Sequence, residues 1–210
     1  ILLATLSSQT LGADRVGVAA WGELGVMSPE ADKYPVRGDL LLEDVTTFAE
    51  GSSQIFGLSR SGTIVGWRTA DFETPPPTSP GFVAIAAGTQ HGVALRSDGT
   101  VVAWGNDQHR GVTSVPAGLN GVVAVAAGRT HSVALRGNGE VVAWGDTVPV
   151  PVGLNRVKSI AARYHRSAAI RHDGSLVVWG MNYDGQTNES PGPTRVAEVA
   201  LGFYIVAART

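Results

Sequence analysis

Short apolar runs separated by glycine-containing turns recur along this chain. The clearest copy has apolar runs at 82–87, 91–96 and 100–104. Apolar and polar residues alternate only weakly in the first run, which favours a strand buried on both faces. The Asp98-Gly99 pair between the second and third runs predicts a tight hairpin, because both central residues of a type I′ turn need positive φ. The pattern predicts three antiparallel strands in each copy.

The same unit occurs four times with constant internal spacing. In each copy a tryptophan follows a small apolar residue by 18 positions, and a turn pair ending in glycine lies five positions before the tryptophan. Successive tryptophans are 35–46 residues apart, a period typical of stacked or circular arrays. The four copies hold the pairs Ala49 and Trp67, Ala86 and Trp104, Ala126 and Trp144, and Ala161 and Trp179, and Trp21 marks a fifth, incomplete copy.

The segments between copies vary in length and contain most of the prolines, such as the Pro75-Pro76-Pro77 run. Proline in sheets is confined to edges and turns, so we expect a short, irregular fourth strand in these connectors. No helical pattern separates the strands. Three or four strands per 35–46 residues predict an all-β fold, a β-propeller.

Composition and charge narrow the function classes. Hydrophobic residues make up 43% of the 210 residues, enough for a sizeable core, and the net charge of −2 provides no basic excess for binding nucleic acid. The absence of cysteine excludes disulfides, thiolate metal sites and thiol catalysis. No apolar run approaches the roughly 20 residues that span a bilayer.

The candidate catalytic and metal-binding residues have structural explanations. His91 and His131 occupy one repeat position, but Gln54, Arg166 and Ile205 replace histidine there in other copies, so a symmetric metal site is not predicted. We expect each of these two histidines to bond a neighbouring loop. The sequence holds no nucleophile elbow, phosphate loop or dinucleotide fingerprint. It therefore predicts a protein that is not an enzyme and needs no cofactor or metal.

Residues 83–105 and 123–145 follow one pattern, Val-Ala-[Ile/Val]-Ala-Ala-Gly-x-x-His-[Gly/Ser]-x-Ala-Leu-x-x-[Asp/Asn]-Gly-x-Val-Val-Ala-Trp-Gly. This pattern resembles the regulator-of-chromosome-condensation repeat family, and residues 179–186 look like its Trp-Gly-x-Asn-x-x-Gly-Gln continuation. The short repeats and Val-Pro connectors are most similar to the bacterial branch that includes the propeller-type β-lactamase inhibitor protein. The resemblance implies a β-propeller, in a family whose rings usually have seven blades.

The repeat count suggests a different ring here. We predict that residues 1–210 form a single propeller domain of about five blades, in which the C-terminal half-repeat 196–210 closes the ring with residues 16–21. The alternative is part of a seven-bladed ring. The mildly acidic segment 23–44 is predicted to be an inserted loop and is the largest insertion between repeats.

Function is expected where the copies differ. The two residues after each first strand, and those after each Trp-Gly, are predicted to lie on one rim, where aromatic and arginine side chains suit a protein interface. The predicted partner-binding residues are Gln90, Asn106, Asp107, Arg129, Tyr164, Tyr183, Phe203 and Tyr204.

The leading interpretation is a non-enzymatic scaffold that holds a protein partner at this rim, as an enzyme inhibitor or as a subunit of a larger assembly. A carbohydrate-binding lectin is the alternative, and a glycan remains open as a ligand. Nucleic acid is not an expected partner. Residues 1–13 resemble the tail of a secretion signal, although a first strand is the simpler interpretation; the location stays open, with a lean to secreted or extracytoplasmic.

Overall fold

The computed structural model describes residues 8–10, 16–18, 45–51, 54–67, 74–107, 110–146, 149–181, 195–202 and 206–210, and all the regular structure in them is β. Four three-stranded sheets, named sheets 1 to 4 along the chain, lie between two strand pairs. The first pair is β1 (Ser8–Thr10) and β2 (Val16–Val18), and the last is β15 (Glu198–Leu201) and β16 (Val206–Arg209). Sheet 1 holds β3 (Val45–Glu50), β4 (Ile55–Ser59) and β5 (Ile64–Trp67); sheet 2 holds β6 (Phe82–Ala87), β7 (His91–Arg96) and β8 (Val101–Gly105); sheet 3 holds β9 (Val122–Ala127), β10 (His131–Arg136) and β11 (Val141–Gly145); sheet 4 holds β12 (Val157–Arg163), β13 (Arg166–Arg171) and β14 (Leu176–Gly180).

Each sheet is an antiparallel meander with its second strand in the middle. The predicted first and second strands of sheet 2 are confirmed, whereas the third begins one residue later than predicted. Thr100 belongs to the hairpin turn, because its backbone N–H and its hydroxyl both donate to Asp98 Oδ1. The all-β fold of repeated antiparallel sheets is that of a β-propeller, and the number of blades remains a prediction.

The first strands of neighbouring sheets lie against one another along the array, from β3 through β6, β9 and β12 to β15. These strands are rich in alanine, as in Ala86-Ala87 and Ala126-Ala127. Small side chains let the first strands converge, as the inner strands of a radial array must. The expected burial of the first strand on both faces is wrong near its start, because Val83 of β6 and Val123 of β9 are more than half exposed.

The core consists of the interfaces between successive sheets. In β7, Ala94 packs toward sheet 1, while Val93 and Leu95 pack toward sheet 3. Neighbouring side chains on a strand point to opposite faces, so one middle strand serves two interfaces. This explains why β7, β10 and β13 are buried along nearly their whole length.

The repeated tryptophans pack between sheets. Trp104 lies against sheet 1 with its ring centroid 5.0 Å from that of Phe56, in an edge-to-face arrangement. Trp144 and Trp179 occupy the same place at the next two interfaces. Burial of one such ring contributes about 2–3 kcal/mol, so these tryptophans are architectural.

The connectors cross from one sheet to the next. Thr74, which follows sheet 1, pairs with Gly105 at the outer edge of sheet 2: Gly105 N–H donates to the Thr74 carbonyl oxygen at 3.0 Å. Similarly, Trp144 Nε1 of sheet 3 donates to the carbonyl of Val112 in the preceding connector, at 3.0 Å. The predicted fourth strand thus appears, in the described residues, as a single bridge at Thr74.

Ring closure and the insertion stay predictions. Among the described residues, β16 pairs with β15 and β2 pairs with β1. Residues 19–21 and 203–205, which the predicted closure also involves, and the 23–44 insertion lie outside the described residues. In the part of the chain that the structure covers, no helix has the length and apolar character needed to cross a bilayer.

Candidate functional site

Two buried histidines tie neighbouring sheets together. Nε2 of His91, at the start of β7, lies 3.0 Å from the hydroxyl oxygen of Ser132 in β10. Similarly, Nε2 of His131 lies 2.9 Å from the hydroxyl oxygen of Ser167 in β13. The expectation that these histidines are structural agrees with these contacts. The expected partner was wrong, however, because each histidine bonds a serine on a neighbouring strand rather than a loop.

These pairs resemble nucleophile–base dyads only in distance. Burial lowers the pKa of His91 and of His131 to about 4, with further lowering at His131 by the nearby His91 and His165. Ser132 and Ser167 are at most 1% exposed, so no substrate can reach either hydroxyl. The neutral imidazoles therefore connect neighbouring sheets through hydrogen bonds.

Where the next sheet offers no serine, a longer side chain bonds a backbone carbonyl instead. Gln54 Nε2 donates to the Gly88 carbonyl at 2.7 Å, and Arg166 donates to the carbonyl of Gly202, the equivalent position one sheet beyond its own. The residues facing them at the serine position are Gly92 and Val206. One repeat position thus links four successive pairs of sheets by two kinds of hydrogen bond.

The loops that follow the first strands form one continuous surface. We call this surface the loop rim: residues 88–90, 128–130 and 163–165, together with 105–107, 145–146 and 180–181. Thr89 N–H donates to the Arg129 carbonyl at 3.1 Å, and Arg129 N–H donates to the Tyr164 carbonyl. Direct backbone bonds therefore hold the loops of sheets 2, 3 and 4 in fixed relation.

Within each sheet, the residue after Trp-Gly is bonded to the same rim. Asn106 N–H donates to the Gln90 carbonyl at 2.8 Å, and Asp146 N–H donates to the Thr130 carbonyl at 2.8 Å. The expected proximity of the two sets of rim residues is confirmed for these positions.

A cleft of about 350 Å³ opens in the loop rim between sheets 2, 3 and 4. It is lined by residues of the rim loops and by two residues of the connector after sheet 2. Sheets 3 and 4 contribute Arg129, Thr130, Asp146, His165 and Met181. Sheet 2 contributes Thr89, Gln90, His91, Asn106 and Asp107, and the connector contributes Arg110 and Val112.

Four of the eight predicted partner-binding residues meet in this cleft: Gln90, Asn106, Asp107 and Arg129. Tyr164 does not line it but adjoins it through the bond from Arg129. Tyr183, Phe203 and Tyr204 lie outside the described residues. Partner binding by any of the eight stays a prediction.

Arg110, Val112 and Met181 line the cleft without having been predicted. Arg110 and Val112 belong to a connector, and no local pattern indicates that it crosses to sheet 3. Met181 follows Trp179-Gly180, so its position after a Trp-Gly pair was a usable signal, and its N–H donates to the His165 carbonyl at 3.0 Å.

Tyr164 has a strained backbone. Its φ of 51° lies in the left-handed region, which bulky residues rarely adopt, and its ring is capped by the Arg163 guanidinium 5.5 Å from the centroid. Such strain persists where surrounding structure imposes it, and it is concentrated at functional sites. Tyr164 and Arg163 thus distinguish sheet 4 on the rim.

The charges of the cleft are partly neutralised. Arg110 Nη1 is 2.8 Å from Asp146 Oδ2, and Asp107 Oδ1 accepts from the Thr113 N–H at 3.2 Å. The pKa of His165 is lowered by burial and, to a smaller extent, by the positive charge of Arg129. The negative charge of Asp146 raises this pKa in part. Positive potential at His165 is therefore not fully compensated. Within the described ranges, no group of three His, Asp or Glu side chains could hold a metal ion.

The repeats match a known family model. Residues 82–110 and 122–147 match the regulator of chromosome condensation (RCC1) repeat. The repeats of sheets 2 and 3 are therefore RCC1-like, within the β-propeller fold of the chain. Among curated protein sequences none matches this chain.

Solved structures share the fold at low sequence identity. The structure of Kap60 bound to yeast RCC1 (Prp20) matches with a TM-score of 0.61 and 21% identity over 85% of this chain and 56% of the other. The ectodomain of the Physcomitrella patens receptor kinase CR4 matches with a TM-score of 0.57 and 20% identity, over 69% of this chain and 42% of the other. Prp20p from Saccharomyces cerevisiae matches with a TM-score of 0.56 and 17% identity, over 78% and 50%. The chain thus spans about half the length of these structures.

Proposed function

We propose that this chain is a non-enzymatic protein-binding scaffold that holds its partner at the loop rim. The observation that carries the proposal is that residues common to the copies build the fold, whereas residues that differ between the copies lie on the loop rim. Trp104, Trp144 and Trp179 pack between sheets, Asp98 closes a hairpin turn, and His91 and His131 bond the next sheet. Four of the varying residues, Gln90, Asn106, Asp107 and Arg129, line one cleft.

The rim is also built to keep a defined shape. Backbone hydrogen bonds join its loops across three sheets, so a partner would meet a surface that loses little entropy on binding. Loops held by a rigid scaffold are where binding residues concentrate. The strained Tyr164 supports the same location.

Structural neighbours of this chain bind other proteins. The Prp20p structure is described with its binding properties to Gsp1p and histones, and yeast RCC1 was solved bound to Kap60. Those partners belong to those proteins. What supports the proposal for this chain is that the same fold holds proteins elsewhere.

Affinity capture with matched variants tests the proposal. The loop-rim variant is Gln90→Ala/Asn106→Ala/Arg129→Ala. The control alters the opposite end of the sheets, Val83→Ser/Val123→Ser, where both valines are more than half exposed. Thermal unfolding first establishes that both variants are folded.

Proteins from an extract of the source cells, retained by the wild type and the control but lost from the loop-rim variant, would support the proposal. Equal retention by all three proteins, or no retention by the wild type, would contradict it. Enzyme inhibition and assembly into a larger complex are two forms of the same function, separated by the identity of the retained protein. A lectin would instead bind glycans at several equivalent sites, whereas the cleft residues differ between copies.

A further inference from the structure

The acidic groups of the rim cleft are already engaged. Asp146 forms the ion pair with Arg110, and Asp107 accepts a backbone hydrogen bond from the connector. Arg129 has no ion pair for its guanidinium among the described residues, and it is exposed at the cleft. The cleft therefore presents one uncompensated cation.

A hydrogen-bonding group without a partner lies next to this cation. Thr130 Oγ1 is buried and has no hydrogen-bond partner in the described part of the chain, so it reaches a ligand in the cleft only when its side chain turns about χ1. A buried hydroxyl without a partner costs about 1–3 kcal/mol, so the position favours a ligand that supplies an acceptor. Thr130 and Arg129 are adjacent in the chain and both line the cleft.

The backbone fixes where these two groups sit. Arg129 is bonded on one side to Thr89 and on the other to Tyr164, and the Thr130 carbonyl accepts from Asp146 N–H. A side chain on such a braced loop keeps more of its orientation than one on a free loop. A guanidinium with a hydroxyl beside it is a donor set for a carboxylate, which arginine can bind through two parallel hydrogen bonds.

We propose that the cleft receives the carboxylate of an aspartate or glutamate side chain on the partner protein, paired with Arg129 and accepting a hydrogen bond from Thr130. This inference rests on the proposed function, because it names the chemistry by which the same rim recognises its partner. The engaged Asp107 and Asp146 flank the site and disfavour a second carboxylate nearby, so an isolated acidic residue is preferred over an acidic run.

The test uses short capped peptides, which separate the side-chain carboxylate from a chain terminus. The probes are acetyl-Gly-Gly-Glu-Gly-Gly-amide and the same peptide with glutamine, titrated at low salt against the wild type, Arg129→Gln and Arg60→Gln, while amide NMR shifts of 128–130 and 165 are followed. Arg60 is the matched control, an exposed arginine in the distant β4–β5 hairpin with no ion pair in the described residues.

We expect the glutamate peptide to bind the wild type and Arg60→Gln alike, and about tenfold or more weakly to Arg129→Gln, the range expected for one charge-assisted bond. Thr130→Val should weaken it less. Equal binding of the glutamine peptide, equal binding to Arg129→Gln, or no shifts at all would overturn the proposal. Partner capture tests the proposed function separately. A protein that is retained at the loop rim equally by the wild type and by Arg129→Gln would support the scaffold function and contradict the recognition of a carboxylate by Arg129.

Discussion

His91 and Ser132, 41 residues apart in the chain, are joined by a contact of 3.0 Å between Nε2 and Oγ that connects two sheets. Ser132→Ala should lower the free energy of unfolding by about 1–3 kcal/mol, because a buried ring nitrogen loses its partner. Urea denaturation measures the change. The control is Ser114→Ala in an exposed connector, which should stay within about 0.5 kcal/mol of the wild type.

The two kinds of inter-sheet bond should be exchangeable. Replacing His91 and Ser132 together by Gln and Gly reproduces the combination of Gln54 and Gly92 one interface earlier. We expect the double variant His91→Gln/Ser132→Gly to be more stable than Ser132→Gly alone, because glutamine reaches the carbonyl at position 128. A double variant no more stable than the single one in urea denaturation would refute this exchange.

Gly88 is required by the ring of His91. A Cβ at position 88 would lie 2.1 Å from His91 Cε1 and 2.6 Å from the Gly128 carbonyl oxygen. Gly88→Ala should therefore destabilise the protein by about 2–3 kcal/mol, the upper range for overpacking. Arg163 stands at the equivalent position in sheet 4, where Arg166 replaces histidine. Arg163→Ala is thus the matched control and should change the thermal midpoint little.

Stability should fall as the medium is acidified from pH 6.5 to 4. The pKa of His91 and His131 is about 4 in the folded protein, against the ordinary 6.5, because burial disfavours the charged form. Below pH 6.5 the unfolded chain takes up protons that the folded chain does not, and this costs up to about 3 kcal/mol for each histidine by pH 4.

The urea midpoint at pH 7, 5.5 and 4 measures this loss, relative to a His91→Gln/His131→Gln variant. The variant is expected to show a shallower dependence on pH over this interval. Parallel curves for the two proteins would assign the acid sensitivity to other groups.

Arg156 lies in a position that favours glycine. Its φ is 54°, and the residues at the equivalent place before β6 and β9 are Gly81 and Gly121, also at positive φ. Arg156→Gly should change stability by less than about 1 kcal/mol, because relief of strain offsets the greater freedom of the unfolded chain. Arg156→Val, which adds β-branching at positive φ, should cost about 1–2 kcal/mol in the same urea assay.

Local features of the chain were predictable because their causes are local. The strands 82–87 and 91–96 and a hairpin at Asp98-Gly99 follow from apolar runs and turn chemistry, and the structure has them at those residues. The expected type I′ geometry is wrong, because Gly99, at φ 82°, has positive φ and Asp98 does not. The packing role of the tryptophans followed from their regular recurrence. Each of these depends on residues close together in one repeat.

Contacts between repeats were not predictable from one repeat alone. The serine partners of His91 and His131 would have shown only if each residue at this position were compared with the following copy: Gln54 with Gly92, His91 with Ser132, His131 with Ser167. The ion pair between Arg110 and Asp146 could not be predicted from the repeats, because Arg110 lies in a connector and the connectors have no repeating pattern.

The sequence by itself determined the all-β repeat architecture, its strand and turn positions and the residues that vary between copies, since spacing and turn chemistry act within a few residues. The tertiary structure decided which varying residues meet. Only the stacking of sheets 2, 3 and 4 brings Asn106, Arg129 and His165 to one cleft. Such proximity depends on how far each sheet is rotated against the next, and that angle is set by the packing of side chains across the whole interface.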